Sequence, residues 1–413
     1  MRWFKLITII LVFGVLWSLF ILTGATQGWF RSAIATEGDA RAFKEALIGR
    51  LNAEFYGNLG LVLIEEGEQF DETYASIGEP VNSDTLFQMA SLSKWFVASG
   101  VMKLVQDGKI DLDAPVSEYL TRWQLPETTF DNDGVTTRRL LSHTSGLTDG
   151  LGFSGYQAGK ELPTLESALD NPNGFRPNIE IKVGVEPGSE WRYSGGGYLI
   201  LQLLIEEVSN RTFEEYMQAE FFGPLGMTRS TFVYPERSTN IAPSYNTSGE
   251  IVSLNRFTAS GAAGLYTTTS DLTRFIQAQV GKIKNPLTEE TIRSMRVPQA
   301  SVYGRNIWGL GVMLMAQTHD GDYIFGHGGN NAPAINTLAL INPETGDGII
   351  VFESGNQALA EQIGFLWNFW QTGSPDFISL ESEIERLLPV YFIGWLMIAL
   401  LVGTLFYREY RKK

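Results

Sequence analysis

The sequence has no cysteine and only three histidines, His143, His319 and His327, in 413 residues. The first absence excludes a disulfide framework, a cysteine nucleophile and a thiolate metal site. The second leaves little for an imidazole metal centre, so neither a metal nor another cofactor is expected. Positive charge is also short: 31 Lys and Arg stand against 46 Asp and Glu, a net charge of −15. A nucleic-acid partner needs a basic footprint, so that class of partner is excluded. No G-x-S-x-G run occurs, which disfavours the nucleophile elbow of α/β-hydrolases. Internal repeats and low-complexity tracts are lacking too. Core material is plentiful, with 44% hydrophobic and 12% aromatic residues. That rules out disorder as a description of the whole chain and suits one large domain or two ordinary ones.

Two uncharged runs bracket the chain. Leu6 to Leu22 follows Arg2 and Lys5, and the uncharged stretch continues to Phe30. It is longer than a usual signal-peptide core, and Trp29 and Phe30 suit a membrane interface, so an uncleaved anchor is expected over a cleaved signal. Leu387 to Phe406 is uncharged and mostly Leu, Ile, Val, Phe and Trp, and it ends in a basic tail that includes Arg408, Arg411, Lys412 and Lys413. At ~1.5 Å rise per residue it spans one hydrocarbon thickness. Pro389 is expected in its first turn, where a missing N–H costs little. The expected organisation is an anchor or signal segment over residues 1–30, a catalytic domain over 31–386, and a transmembrane helix with a basic cytoplasmic tail over 387–413. Basic residues stay on the cytoplasmic side, so both ends are expected inside and the domain between them on the periplasmic or extracellular face of the cell membrane.

Within that domain, Leu59 to Ile64, the turn Glu65-Glu66-Gly67 and Glu68 to Ala75 read as a β-hairpin. Tyr323 to Phe325, Ile335 to Ile341 and Ile349 to Phe352 read as three more strands. Helical spacing marks Lys94 to Val105, Tyr198 to Val208, Asp271 to Val280 behind a Ser270 cap, and Gln357 to Trp370. Thr212-Phe213-Glu214-Glu215 is a capping box. A lone hairpin is marginal in water, so strands from both ends of the domain are expected to pair into one sheet. The result is an α/β domain with a mainly helical insertion.

Three short patterns carry chemistry. In Ser91-Leu92-Ser93-Lys94 a helix would stack Ser91 and Lys94 one turn apart, an ammonium beside a hydroxyl. A serine at a helix N-terminus also has its own N–H as an oxyanion donor. In Tyr193-Ser194-Gly195-Gly196-Gly197 the glycines admit close backbone approach, and a tyrosine there can act as a base if a cation lowers its pKa. In Gly326-His327-Gly328-Gly329-Asn330 the histidine follows a strand and can donate to an oxyanion or carboxylate. Taken singly, each has a commoner reading: an N-cap, a loop, a turn. His143, in a polar turn, and His319, beside Asp320, read as structural. Glu65-Glu66 and Glu206-Glu207 are adjacent acids that do not face each other, which makes them poor catalytic pairs.

In this order, S-x-x-K, then Y-S-G, then H-G-G on a strand, the three resemble the serine β-lactamase and penicillin-binding-protein superfamily. The similarity is greatest to its class C β-lactamase-related branch. Asp84 to Ala90, Gly108 to Asp113, Leu140 to Leu147, Pro224 to Met227 and Gly264 to Thr268 fit as well. The resemblance implies an antiparallel sheet flanked by terminal helices, beside a mainly helical subdomain. It implies Ser91 as acylated nucleophile, Lys94 as holder of its proton, Tyr193 as proton shuttle and His327 in place of a third-motif lysine. The backbone N–H groups of Ser91 and Asn330 would form the oxyanion hole, with Gly328 and Gly329 beside it. Gly195 stands where the branch often has an amide-binding Asn. The expected function is a membrane-anchored serine hydrolase acting on a small-molecule or peptide substrate: an ester, an amide or a D-amino-acid peptide. The rivals are a cell-wall D,D-peptidase that binds penicillin and a catalytically silent scaffold.

Overall fold

The computed structural model describes residues 2–151, 155–157, 159–171, 179–236, 238–332 and 334–411. These fall into two compact units: Met1–Phe43 joined to Phe365–Lys413, and Lys44–Gly364. The terminal unit reaches further into the chain than the apolar runs do. Phe43 stacks on Trp370 at 4.6 Å, and the Trp370 indole donates to Thr36 O at 2.7 Å.

In the terminal unit, helices Arg2–Thr26 and Phe377–Arg411 contain the segments Phe4–Thr26 and Ile384–Arg408, each long and apolar enough to cross a membrane. The two pack antiparallel through reciprocal small-to-large contacts. A Cβ on Gly14 or on Gly394 would lie 2.1 Å from the ring of Trp395 or Trp17 respectively. The missing side chains let the indoles seat. The Trp17 indole donates to Tyr391 O (3.0 Å) and the Trp395 indole to Ser18 Oγ (3.2 Å). Pro389 is not in a first turn, because the helix starts at Phe377. It sits in the interior and removes one helical hydrogen bond there.

The larger unit is built on strands β1 (Asn58–Glu65), β2 (Glu68–Ser76), β3 (Phe87–Gln88), β4 (Ser244–Tyr245), β5 (Ile251–Val252), β6 (Tyr266–Thr267), β7 (Ala300–Val302), β8 (Arg305–Trp308), β9 (Met313–Gln317), β10 (Tyr323–Asn331), β11 (Ile335–Ile341) and β12 (Gly348–Ser354). Eight form an antiparallel sheet in the order β2-β1-β12-β11-β10-β9-β8-β7. Strands from both ends of the unit therefore do pair, Leu61 opposite Val351. β11 and β12 are buried along their whole length and mostly apolar, because both faces are covered. β2, at the edge, is polar and half exposed.

Four local expectations change. β7 to β9 are short and lack clean alternation, so periodicity missed them. β10 does not stop at Phe325: residues His327 to Asn331 continue it, paired with Ala339 back to Ile335. The glycines after Tyr193 are not a loop but the first turn of helix Gly195–Ser209, capped by Ser194. Helix Thr269–Gln279 is capped by Thr268, not Ser270, because Thr268 Oγ1 accepts from Asp271 N at 3.0 Å. The capping box of Thr212 and Glu215 forms as read.

Helix Ser93–Gln106 is buried nearly all round. A helix apolar on every side belongs at the centre of a fold. Its Trp95 meets Phe325 of β10 edge-on, and Gly100 lies against Met217 of the helical region. On the opposite face of the sheet, Asn336 Oδ1 accepts from Ala360 N at 2.6 Å, at the start of helix Leu359–Thr372.

Side chains alternate along β10, so Phe325, His327 and position 329 share the face toward Ser91. Gly326 is pressed on Ala339 of β11: a Cβ there would stand 2.0 Å from that carbonyl oxygen. Backbone cannot yield as a side chain end can. Gly326→Ala is expected to lower stability by ~1–3 kcal/mol, read by thermal unfolding. Gly49→Ala, with nothing within 4 Å, is the control and should be neutral or stabilising.

Candidate active site

Ser91 lies in a 3₁₀ turn, Ala90–Leu92, directly before helix Ser93–Gln106. Ala90 holds φ +48°, an uncommon conformation for a residue with a side chain. The turn is tied on all sides. Thr337 Oγ1 donates to Met89 O (2.8 Å), Ser93 Oγ to Ala90 O (2.6 Å), and Leu265 N to Ser93 Oγ (3.0 Å). Ser93 is fully buried and its hydroxyl is committed, whereas Ser91 is part-exposed.

Around Ser91 Oγ stand the two groups that the motif order suggested. Lys94 Nζ is 3.1 Å away and the Tyr193 hydroxyl 2.9 Å away. Lys94 is 1% exposed. Its other hydrogen bond goes to Ala262 O (2.8 Å), and its amine lies over the rings of Tyr193 and Tyr198 at 5.0 and 5.4 Å. Burial strips water from the ammonium and lowers its pKa to about 7, against a smaller opposing pull from Asp149. Near neutrality a sizeable share of Lys94 is therefore an amine with a lone pair. Burial raises the Tyr193 phenol above its ordinary value. Tyr193 is thus protonated and donates to Ser91, and the lowered pKa needed for a tyrosine base does not arise.

His327 is buried on the same face of β10. Its Nδ1 lies 2.6 Å from Gly328 O. A carbonyl only accepts, so the proton is on Nδ1, and the buried Nε2, without a partner among the described residues, carries a lone pair. Burial, with Lys94 nearby, lowers its pKa to about 3, so the ring is neutral. The expected donor to a substrate carboxylate is instead an acceptor. A Cβ on Gly329 would meet Met89 O at 2.3 Å and Ser91 N at 3.0 Å, so only glycine keeps the space before the Ser91 amide open. The Gly328 N–H points to Met313 Sδ (3.4 Å). The Asn330 side chain turns away to Gln357 O (2.6 Å), which leaves its backbone as the part available to a ligand. The Gly195 N–H is committed to Gly150 O at 2.6 Å.

Sequence reasoning passed over Asp149. This buried carboxylate accepts from Ser194 Oγ (2.6 Å) and Gly196 N (2.8 Å), fastening the helix start behind Tyr193. Burial raises its pKa, opposed by those two hydrogen bonds. A Cβ on Gly196 would come 3.0 Å from its Oδ2, which gives that glycine a reason. Trp191 and Trp308 flank Tyr193 at 6.4 and 6.0 Å. His143, read as a turn residue, is buried beside Tyr193. His319 is exposed and faces Glu344, as its polar surroundings suggested. Among the described residues no group of three or more His, Cys, Asp and Glu could hold a metal ion.

An antiparallel sheet with a serine and lysine one turn apart on its central helix defines the serine β-lactamase and penicillin-binding-protein superfamily, whose members are serine hydrolases. The chain belongs to the Beta-lactamase family, whose sequence profile matches residues 58–363. It is 33% identical over 181 residues to penicillin-binding protein 4* of Bacillus subtilis (strain 168), covering 42% of this chain and 37% of that protein. The chain spans 37 to 58% of the length of the first curated relatives it matches. Among solved structures, the β-lactamase/D-alanine carboxypeptidase of Pseudomonas syringae superposes with a TM-score of 0.63 at 19% identity, over 79% of this chain and 97% of that one. The D-amino acid amidase of Ochrobactrum anthropi SV3 does so at 0.61 and 22%, over 84% and 97%. At such identities the likeness speaks to the fold.

The Lys94 amine gives a direct test. Only its neutral form can take a proton from Ser91, so reaction at Ser91 should be slow below the Lys94 pKa and fast above it. The rate of labelling by a fluorophosphonate is expected to rise with pH, with a midpoint near the Lys94 pKa of about 7. Lys94→Arg, charged at every pH, should lose ~100-fold or more at pH 8. A profile flat across neutrality would refute the assignment.

Proposed function

We propose that the protein is a membrane-anchored serine hydrolase that works through an acyl-enzyme on Ser91. The observation that carries this reading is the placement of Ser91 Oγ between the Lys94 amine and the Tyr193 hydroxyl, at 3.1 and 2.9 Å. In acylation, neutral Lys94 takes the Ser91 proton as Oγ bonds to the substrate carbonyl carbon. The oxyanion faces the Ser91 N–H and the backbone of β10 at Asn330. As the tetrahedral centre collapses, Tyr193 gives its proton to the leaving oxygen or nitrogen and regains one from Lys94, so the bond to the leaving group breaks without releasing an anion. Water then enters where the leaving group was and bonds to the acyl carbon as it loses a proton to the same pair; the bond from that carbon to Ser91 Oγ breaks, Oγ takes the proton back, and the acid is freed. A fluorophosphonate adduct is expected on Ser91 and absent in Ser91→Ala. An adduct on Ser93, with Ser91→Ala still active, would overturn the assignment.

The site favours substrates without a carboxylate beside the scissile bond. His327 presents a lone pair where a carboxylate would need a donor, and Gly195 has neither a side chain nor a free N–H for a substrate amide. An ester with a good leaving group needs the amide contact least. p-Nitrophenyl butyrate should therefore be turned over more readily than a cephalosporin. His327→Lys supplies a charged donor, and such a hydrogen bond contributes ~1.5–3 kcal/mol. The cephalosporin-to-ester ratio of kcat/KM should then rise by about tenfold or more. Efficient cephalosporin turnover by the unaltered protein with negligible esterase activity would refute this preference and favour the D,D-peptidase reading.

The two apolar helices support anchoring, and their antiparallel pairing supports both ends lying on one side of the membrane. Six of the 31 basic residues and one of the 46 acidic ones lie in residues 1–30 and 387–413, which favours those ends being cytoplasmic. Alkaline phosphatase fused after Gly355 should be active, and fused after Lys413 inactive. The opposite pattern would reverse the orientation.

A further inference from the structure

The segment that carries Tyr193 is held by one residue on both of its flanks, by its backbone on one and by its side chain on the other. His143 accepts from Arg192 N through its carbonyl oxygen (2.8 Å) and from Ser194 N through its ring Nδ1 (3.1 Å). Between those two anchors its ring lies on the Tyr193 ring, with centroids 4.4 Å apart and planes inclined by 35°. The second wall is the edge of Trp308, at 4.8 Å from His143.

Three features separate this from ordinary packing. His143 has φ +58°, a left-handed conformation uncommon for a residue with a side chain and one in which Asn, Asp and His are enriched. From that backbone the ring lies against residues 193 and 194. A backbone N–H can only donate, so Nδ1 must be unprotonated and the neutral ring carries its proton on Nε2. That Nε2 is buried with no partner among the described residues, so the imidazole is not placed for the hydrogen bonding of both its nitrogens. Finally, the other carboxyl and amide contacts in the cradle fall on residues 194 to 197, not on Tyr193. Asp149 holds Ser194 Oγ and Gly196 N, and Gly150 O holds Gly195 N.

We propose that His143 is a positioning residue that sets the Tyr193 hydroxyl against Ser91 by clamping residues 192 and 194 and supporting the phenol ring between them. The inference rests on the reading above, in which Tyr193 relays the proton of an acyl-enzyme reaction. Among the described residues no hydrogen bond joins His143 to Ser91, so it acts only through Tyr193.

That dependence gives the test. His143→Ala, His143→Asn, Tyr193→Phe and the two double variants with Tyr193→Phe are assayed as full-length protein with p-nitrophenyl butyrate, alongside thermal unfolding and fluorophosphonate labelling of Ser91. A displaced catalytic group can cost on the order of a hundredfold in rate. His143→Ala should lose about that much in kcat with KM little changed. His143→Asn keeps an acceptor and suits the backbone, so it should recover most of the loss. In the Tyr193→Phe background neither His143 change should lower kcat further by more than about threefold. Losses that multiply with Tyr193→Phe, or a folded His143→Ala protein with unaltered kcat, would overturn the proposal. If His143→Ala does not fold, His143→Gly, which suits the same φ and removes the ring, takes its place in the cycle with Tyr193→Phe. Wild-type protein that is not labelled at Ser91 would remove the acyl-enzyme reading, and this inference with it. Labelled wild type with independent His143 losses would remove this inference alone.

Discussion

Everything in the site depends on the burial of one amine. Lys94 is removed from water on the central helix, and its hydrogen bonds go to a hydroxyl and a carbonyl, neither of them charged. A buried ammonium without a carboxylate in contact is expensive, so the group sheds its proton near neutral pH instead. Asp149 is close enough to raise the pKa, but its oxygens are spent on Ser194 and Gly196, and burial works against its own charge. The result is an amine, not a salt bridge, under Ser91. Had a carboxylate paired directly with Lys94, the lysine would stay charged and could not take a proton from serine.

The rest of the fold keeps that amine dry and its neighbours in register. The helix that bears Lys94 is buried nearly all round because sheet and helical region close on it from opposite sides. β10 then brings Phe325, His327 and Gly329 to the same face by simple alternation, and each does something different there. Phe325 packs on Trp95, His327 turns a lone pair inward, and Gly329 leaves the Ser91 amide uncovered. A one-residue slip of β10 would exchange all three for Gly326, Gly328 and Asn330, so strand register is a functional constraint as well as a structural one.

What could be read from the sequence followed contact distance along the chain. Ser91 and Lys94 are three residues apart, and helix geometry alone puts them together. The hairpin at Glu65-Glu66-Gly67 and the capping box at Thr212 are likewise local, and both form as read. Tyr193 lies 102 residues from Ser91, and only the order of several motifs connected them. His143 and Asp149 act through backbone amides of residues 192 to 196, a pairing between loops that no periodicity encodes. The errors have the same origin. Thr268 and Ser270 both look like caps, and the choice was made by where Asp271 N points. Pro389 looked like a helix start because charge marked the edge of the uncharged run at Arg386, whereas the helix itself begins earlier, in the amphipathic turns from Phe377. β10 looked finished at Phe325 because glycines seldom continue a strand unless a neighbour such as β11 holds them.

The two buried histidines show how the backbone decides side-chain chemistry. Both are neutral and both lie within the electrostatic reach of Lys94. Yet His143 meets an amide N–H through Nδ1 and must keep its proton on Nε2, whereas His327 meets a carbonyl through Nδ1 and must keep its proton there. The same residue type is thus an acceptor toward the chain in one place and a donor in the other, and the free nitrogen takes the opposite character each time. Neither ring competes with Lys94 for a proton near neutral pH, which leaves the lysine as the group beside Ser91 whose charge changes there. A third-motif lysine in place of His327 would put a second cation close to the first. It would push Lys94 further toward the amine and offer a substrate carboxylate a donor at the same time. The histidine gives up both effects, so in this chain the state of Lys94 rests on desolvation rather than on a neighbouring charge.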